Sequence, residues 1–398
     1  MKKLPGEILL HFAKKESRLV CGMMSGTSAD SIDLAFCRIK GAGLPSKREK
    51  GAELVLQHFY SHKMPAFLAD HMKNIPSLGV KEIAELDVQI AEAFAEAFKT
   101  GLEEAKLESD EVDFISSHGQ TLYHHSRQEG VRSASLQLGN GDILSSRSGV
   151  PVISNFRVKD IAAGGEGAPL TPYADAILFK SSEKRRAVLN LGGIANITIL
   201  SEDRNEIIGF DTGPANAPLD RLARILSDNS MDFDVDGKMA SKGKVNESLL
   251  KRLLDQDLYL RLAPPKSTGF EIYGDDFVEK AKQLHGTFDY NLMATLLSFV
   301  VHSIHLAVET FVPKTRMFDE LIIAGGGARN PETVRSLKEV FAPIPVLVSD
   351  TLGIPSFARE AMAFAILGND AVFGLPTSLP SVTGAVAGKC LGSWSFPD

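Results

Sequence analysis

Gly22-Met-Met-Ser-Gly-Thr-Ser-Ala-Asp-Ser-Ile-Asp33 separates the apolar run Leu19-Val20-Cys21 from a second apolar run over residues 32–39. The pattern reads as strand, turn, strand. Glycine lets backbone N–H groups approach an anion, and Ser25, Thr27 and Ser28 add neutral hydroxyl donors. Asp30 and Asp33 would repel a phosphate unless a divalent cation or its waters stand between, as magnesium does in nucleotide chemistry. The Gly-Lys-Ser/Thr ending of a Walker loop is missing. Alone, the stretch fits a plain β-hairpin as well as a phosphate grip, because turn composition reports turns better than ligands.

A second copy of the pattern changes that balance. Residues 187–190 read as a strand, Leu191-Gly-Gly-Ile-Ala-Asn196 as a tight turn, and 197–200 as the returning strand. Residues 206–210 then repeat the part that 54–60 play in the first half, as a third strand. In the first half, Ile83, Leu86, Ile90, Phe94 and Phe98 lie at helical spacing over 81–99. A short buried strand at 112–116 leads into Ser117-His-Gly-Gln-Thr121, and 136–144, with a Gly-Asn-Gly turn inside, and 150–154 follow. In the second half, 216–226 reads as a helix, and 292–312 as a long apolar helix ended by Pro313. Residues 321–324 form a strand feeding Gly325-Gly-Gly-Ala-Arg-Asn330, and Pro331 opens another helix. Strands alternating with helices put the chain in the α/β class. Two like halves, each with a phosphate-grade hairpin, imply two lobes with a nucleotide in a central cleft. The expected lobes are 1–180 and 181–369, with 370–398 packing back on the first. The linker falls at 163–172 or 181–186.

The bulk numbers narrow the class. The chain has 398 residues, 44% hydrophobic and 23% charged, with a net charge of -7. No basic block marks a nucleic-acid partner. Cys21, Cys37 and Cys390 sit at no metal spacing and form no disulfide frame, which fits a reducing cytoplasm. The apolar start Ile8-Leu9-Leu10 is too short for a signal peptide, and 1–18 reads as a short extension with a surface helix. No stretch reads as a membrane span, so no membrane partner is expected.

Several residues carry candidate chemistry, each beside a plainer reading. Asp211, at the end of an apolar strand in Asp211-Thr-Gly-Pro-Ala-Asn216, has the place of a general base in α/β enzymes or of a helix cap. Gly325, Gly326 and Gly327 permit close approach of a base or phosphate, or form a plain loop. His118 suits a proton carrier or a substrate donor, and equally a satisfied structural histidine. His124 and His125 have no carboxylate spacing for a metal, and no metal ligands are assigned. Arg157 suits two-pronged pairing with a carboxylate or a routine ion pair. Glu360 starts a helix, as a first-turn acid or a ligand to sugar hydroxyls.

Taken in order, these motifs resemble the anhydro-N-acetylmuramic acid kinase family. The stretches that carry the resemblance are Met-Ser-Gly-Thr-Ser at 24–28, Ser-His-Gly-Gln-Thr at 117–121, Asn-Phe-Arg through Asp160, Gly-Glu-Gly-Ala-Pro-Leu at 165–170, Asn-Leu-Gly-Gly-Ile-Ala-Asn at 190–196, Phe-Asp-Thr-Gly-Pro at 210–214, the Pro-Lys-Ser-Thr-Gly stretch within 263–269, Gly-Gly-Gly-Ala-Arg-Asn-Pro at 325–331 and Leu-Pro-Ser-Val-Thr-Gly-Ala at 379–385. The resemblance implies a two-lobed actin-like ATPase (ribonuclease H-like) fold with a central nucleotide cleft, and a cytoplasmic homodimer. It implies a kinase using ATP and magnesium, which opens the anhydro bridge of 1,6-anhydro-N-acetylmuramic acid and phosphorylates its 6-oxygen in cell-wall recycling. It implies Asp211 as catalytic base, with Gly26, Thr27, Ser28, Asp30, Asp33, Gly192, Gly193, Asn196 and Gly325 to Gly327 on the nucleotide. His118, Gln120, Arg157 and Glu360 are then sugar contacts. Ser31, Asn155, Glu166 and Ala215 depart from the family's pattern, where glycine, aspartate, glutamine and glycine are expected. Two other readings compete: a kinase for a different sugar or amino sugar, and a non-catalytic nucleotide sensor on the same fold.

Overall fold

In the computed structural model, residues 4–26, 29–45, 50–73, 75–127 and 131–397 are described. The apolar run at 19–21 belongs to strand β1 (Ser17–Ser25), buried on both faces from Arg18 onward. Such a strand sits inside a sheet rather than at its edge. Strands β2 (Ser31–Lys40) and β3 (Glu53–Lys63) follow it antiparallel. Strand β4 (Phe114–His125) runs parallel to β1 on the other side. It also pairs with β5 (Ala134–Leu138) and with the parallel β6 (Val152–Ser154). The chain's end, β12 (Ser393–Ser395), closes that edge, giving the order β12-β6-β4-β1-β2-β3.

The second sheet repeats the plan with β7 (Arg186–Leu191), β8 (Ile194–Ile199), β9 (Ile208–Pro214), β10 (Glu320–Ala324) and β11 (Val346–Val348). Its order is β11-β10-β7-β8-β9. In both sheets the first strand is joined on one side to two strands through successive antiparallel pairings, and on the other to two strands through successive parallel pairings. The echo in the sequence is therefore a repeated ribonuclease H-like strand order in an α/β protein.

The chain divides into two compact units. One holds Met1–Lys180, Glu202–Ile207 and Ala358–Asp398; the other holds Ser181–Ser201 and Ile208–Phe357. The return to the first unit thus begins at Ala358, not near 370 as the sequence suggested. Gly22 shows why. A Cβ there would lie 1.9 Å from the Ala361 carbonyl oxygen, so only glycine lets the helix Arg359–Val372 settle on β1. The Ser116 hydroxyl donates to the Phe364 carbonyl of that helix at 2.5 Å. Residues 202–207 also join the first unit, because the Arg204 guanidinium donates to the carbonyls of Pro376 (2.8 Å) and Ser378 (3.0 Å).

Helices complete each core. Val80–Ala105 is longer than the 81–99 stretch that periodicity marks, and it buries Ile90, Phe94 and Phe98 fully against the first sheet. Each such side chain contributes about 2 kcal/mol. The N-terminal helix Pro5–Lys14 is docked rather than loose: Phe12 is buried, with its ring 5.4 Å from that of Phe114. In the second unit Tyr290–Phe311 is long and apolar enough to cross a membrane, contrary to the sequence expectation. It serves as a core helix instead, with 72% of its apolar window buried. A further correction concerns Ser117–Thr121. The motif lies inside β4, which continues to His125, rather than following a short strand that ends at Ser116. Gln120 is held on both sides, paired with Ser25 of β1 and Leu138 of β5.

Candidate active site

In the second unit, Asp211 lies within β9, opposite Asn196 of β8, and is 9% exposed. Its carboxylate Oδ2 accepts the Thr268 backbone N–H at 3.0 Å. Its own N–H donates to the Lys266 carbonyl at 3.2 Å, and its carbonyl accepts the Tyr259 hydroxyl at 2.9 Å. The helix-cap reading of Asp211 therefore fails: the next helix, Asn216–Leu226, has Ala215 at its N-cap, with no side-chain cap. The strap over Asp211 is a part of the site that reasoning from residue types missed. Its signal in the sequence was the Pro-Lys-Ser-Thr-Gly stretch. Lys266 is 8% exposed, and burial lowers it to about 8 against the pull of Asp211 and Asp257.

A glycine cluster stands in the same unit. The β7–β8 turn at Gly192 and Gly193 receives the start of helix Asn216–Leu226. The Gly192 carbonyl accepts the Asn216 N–H (3.0 Å), and the Gly193 carbonyl accepts those of Ala215 (3.0 Å) and Ala217 (3.1 Å). The Asn216 amide donates to the Leu191 carbonyl at 3.0 Å. Gly325 has φ 81° and leads into the 3-10 turn Gly326–Arg329. A Cβ on Gly325 would come within 2.9 Å of both the Asn190 side-chain oxygen and the Leu191 carbonyl, and one on Gly327 within 2.7 Å of the Leu191 Cβ. The two Gly-rich turns are thus neighbours, with Asn190 and Asn216 between them. The structure brings Gly192, Gly193 and Gly325 to Gly327 together.

In the first unit, Thr27 and Ser28 fall outside the described residues. Gly26, at the end of β1, accepts the Gln120 side-chain amide at 3.1 Å, which ties the first turn to β4. Asp30 is exposed, and its carbonyl accepts the Met64 N–H at 2.9 Å. Asp33 on β2 accepts hydroxyls from Ser61 (2.6 Å) and Ser31 (3.1 Å). Burial raises its pKa, and those two hydrogen bonds oppose the rise. Ser31, unexpected by family pattern, therefore has a defined partner.

His118 and Arg157 also fall together in the first unit. Arg157 Nε donates to His118 Nε2 at 3.1 Å, and its Nη1 to the Gly167 carbonyl at 2.9 Å. An accepting Nε2 leaves the proton on Nδ1, which reaches the Gly119 carbonyl at 3.1 Å. Burial, then the Arg157 charge, push His118 down to about 3. It is a neutral holder of Arg157, and the proton-carrier reading is set aside. The His118 ring stands 4.6 Å from that of Phe364. Glu360 is one turn earlier on the same helix, on the face that Phe364 shares. Asp160 secures the loop beside Arg157, accepting the Gly167 N–H (2.9 Å) and the Thr383 hydroxyl (2.8 Å). Glu166 accepts the Arg127 N–H (2.7 Å) and the Ser133 hydroxyl (3.0 Å), so its carboxylate is engaged by the connection between β4 and β5. Asn155 has φ 58°, a conformation asparagine tolerates well, and Ala215 at φ -128° has no need of glycine.

No cluster of three or more His, Cys, Asp or Glu suited to a metal occurs among the described residues. Magnesium with a nucleotide needs only one or two carboxylates, since phosphates and water complete its shell. Asp30 and Asp33 fit that requirement.

Comparison with known proteins follows the same line. The family model described as anhydro-N-acetylmuramic acid kinase matches residues 18–397. A protein of that name from Salinibacter ruber is 39% identical over 404 residues, covering 98% of this chain and 99% of that one. One from Caldanaerobacter subterraneus subsp. tengcongensis is 37% identical over 400 residues, with 98% and 99% covered. Among solved structures the likeness is distant. An example is the ADPNP-bound activator of the 2-hydroxyisocaproyl-CoA dehydratase from Clostridium difficile, 12% identical, with TM-score 0.43, covering 89% of this chain and 96% of that one. With its motifs in order and a full-length match, this chain belongs to the anhydro-N-acetylmuramic acid kinase family of phosphotransferases.

Proposed function

We propose that the chain phosphorylates 1,6-anhydro-N-acetylmuramic acid with ATP while water opens the anhydro bridge, giving N-acetylmuramic acid 6-phosphate and ADP. Asp211 is the base. It takes a proton from the water that attacks the anomeric carbon. The bond from that carbon to the 6-oxygen breaks, and the 6-oxygen receives the γ-phosphoryl group. Gly26, Thr27, Ser28, Asp30, Asp33, Gly192, Gly193, Asn196 and Gly325 to Gly327 serve the nucleotide. Asp30 and Asp33 are the carboxylates that would hold magnesium or its waters, and the ion would offset charge on the phosphates. His118 sets the direction of Arg157, which takes the lactyl carboxylate, and Gln120 and Glu360 take polar groups of the sugar. The product belongs to cell-wall recycling, and the place of work is the cytoplasm. The homodimer rests on the family resemblance alone.

The observation that carries this reading is the hold on Asp211. A carboxylate held by a backbone N–H inside a strand, in a chain that the kinase family model matches over residues 18–397, is preorganised for proton abstraction. The test is ADP release by the purified protein with ATP, magnesium and the anhydro sugar. Turnover on an ordinary hexose, with none on the anhydro sugar, would overturn the substrate.

A further inference from the structure

Lys266 is a buried cation that the reaction above leaves without a part. Its ammonium lies 4.6 Å from the ring centres of both Tyr259 and Phe311, and 5.9 Å from that of Phe210. Among the described residues its one hydrogen-bond acceptor is the Tyr259 carbonyl, at 3.3 Å. An ammonium can donate three hydrogen bonds, so burial here is costly. Ring faces offset part of that cost. A methionine would fill the same aromatic cage with no charge to desolvate.

The cage is coupled to Asp211 through a closed circuit. The Lys266 side chain binds the Tyr259 carbonyl, the Tyr259 hydroxyl binds the Asp211 carbonyl, and the Asp211 N–H returns to the Lys266 carbonyl. Thr268, two residues on, gives its N–H to the Asp211 carboxylate. The side chain of Lys266 thus ties the two ends of the 259–268 strap to each other and to β9. We propose that Lys266 is a positioning residue for Asp211: it pins the strap that holds the carboxylate, and supplies a positive charge in its neighbourhood. This rests on the reading of Asp211 as base.

The titratable groups that face Lys266 are Asp211 on β9, Asp257 just before the strap and Tyr259 in it, with Tyr273 and Glu271 of the short helix Phe270–Tyr273 next to Asp257 and Tyr259. Tyr273 donates its hydroxyl to Asp257 at 3.0 Å, so Asp257 has a neutral partner of its own. With Lys266 at about 8, the ammonium is protonated at neutral pH. Removing its charge disfavours the Asp211 carboxylate, and the base then protonates at higher pH.

The test measures kcat and KM against pH for the full chain, with ATP, magnesium and the anhydro sugar. Asp211→Asn runs beside Lys266→Met and Lys266→Gln. The expected result is an acid limb of kcat/KM moved up by about one pH unit in both lysine variants, with the sugar KM changed less than kcat. A limb unmoved in a folded variant overturns the proposal. So does loss of folding in both, which would make Lys266 a purely structural residue. An active Asp211→Asn protein would instead remove the base reading beneath it, so the two failures are told apart.

Discussion

The two sheets share a strand order and hold their acids by different means. In the first unit the acid is Asp33 on the second strand, opposite Ser61 of the third, and side-chain hydroxyls hold it. In the second unit the acid is Asp211 on the third strand, opposite Asn196 of the second, and a backbone N–H holds it. Hydroxyls rotate, so Asp33 can exchange them for a cation or its waters at modest cost. A backbone N–H in a strap cannot turn away. The duplicated fold thus offers one adjustable carboxylate suited to binding and one fixed carboxylate suited to proton transfer.

The sharpest way to break this contrast is to neutralise each acid. Asp211→Asn is expected to lower kcat by about a thousandfold, within the range for loss of a general base, and to leave ATP binding nearly intact. Asp33→Asn is expected to raise the KM for ATP and spare kcat at saturation. Steady-state kinetics on both proteins decides it, and equal losses in kcat at saturating ATP would erase the division of labour.

The next contrast concerns the glycines of the two first hairpins. A Cβ at Gly22 meets the backbone of Ala361 at 1.9 Å, whereas at Gly192 its nearest neighbour, the Ile194 carbonyl oxygen, is at 3.5 Å. Gly22→Ala is expected to cost about 3 kcal/mol of stability, and Gly192→Ala less than about 1 kcal/mol. Urea unfolding measures both. A Gly22→Ala protein as stable as the parent would mean that the helix Arg359–Val372 moves away without loss.

A smaller effect follows from the histidine that holds Arg157. His118 is pushed down to about 3 in the folded chain, whereas an unfolded histidine titrates near 6.5. Below pH 6.5 the unfolded chain gains a proton that the folded chain refuses, so stability falls as pH falls. The slope is about 1.4 kcal/mol per pH unit for one such site. His118→Asn should flatten the fall between pH 6 and 4.5, measured by urea midpoints. The imidazole signals of native His118 should not move between pH 8 and 5 in NMR spectra. Titration in that range would restore it as a proton carrier.

Much of this was legible in the sequence because it rested on local pattern. Apolar runs flanking Gly-rich turns located β1, β7 and β10, and Asn330-Pro331 marked the start of a helix that the Asn330 side chain caps. What escaped depended on contacts far apart in the chain. Gly22 looks like part of a phosphate turn until Ala361, over three hundred residues away, is seen against it. The run of β4 through Ser117–Thr121 depends on pairing with β1 and β5 on either side, which no local rule reports. Lys266 sits among Pro, Ser and Thr in the sequence, and nothing there announces its three aromatic neighbours.

The finest test of the two-acid contrast is removal of one hydroxyl from each. Ser61→Ala deletes the 2.6 Å hydrogen bond to Asp33, and burial then raises that carboxyl further. A carboxyl raised in the folded state favours folding at low pH, where it is protonated, and opposes folding once ionised. The cost of Ser61→Ala should therefore be about 1 kcal/mol at pH 7 and smaller near pH 3, discounted for the exposure of Ser61. Thr268→Ala removes a hydroxyl but leaves the N–H that holds Asp211. Its stability change should have no such pH dependence, and the acid limb of kcat/KM should stay in place. An equal pH dependence in the two variants would mean that Asp211 leans on the Thr268 hydroxyl as Asp33 leans on that of Ser61, and the contrast between the two acids would be lost.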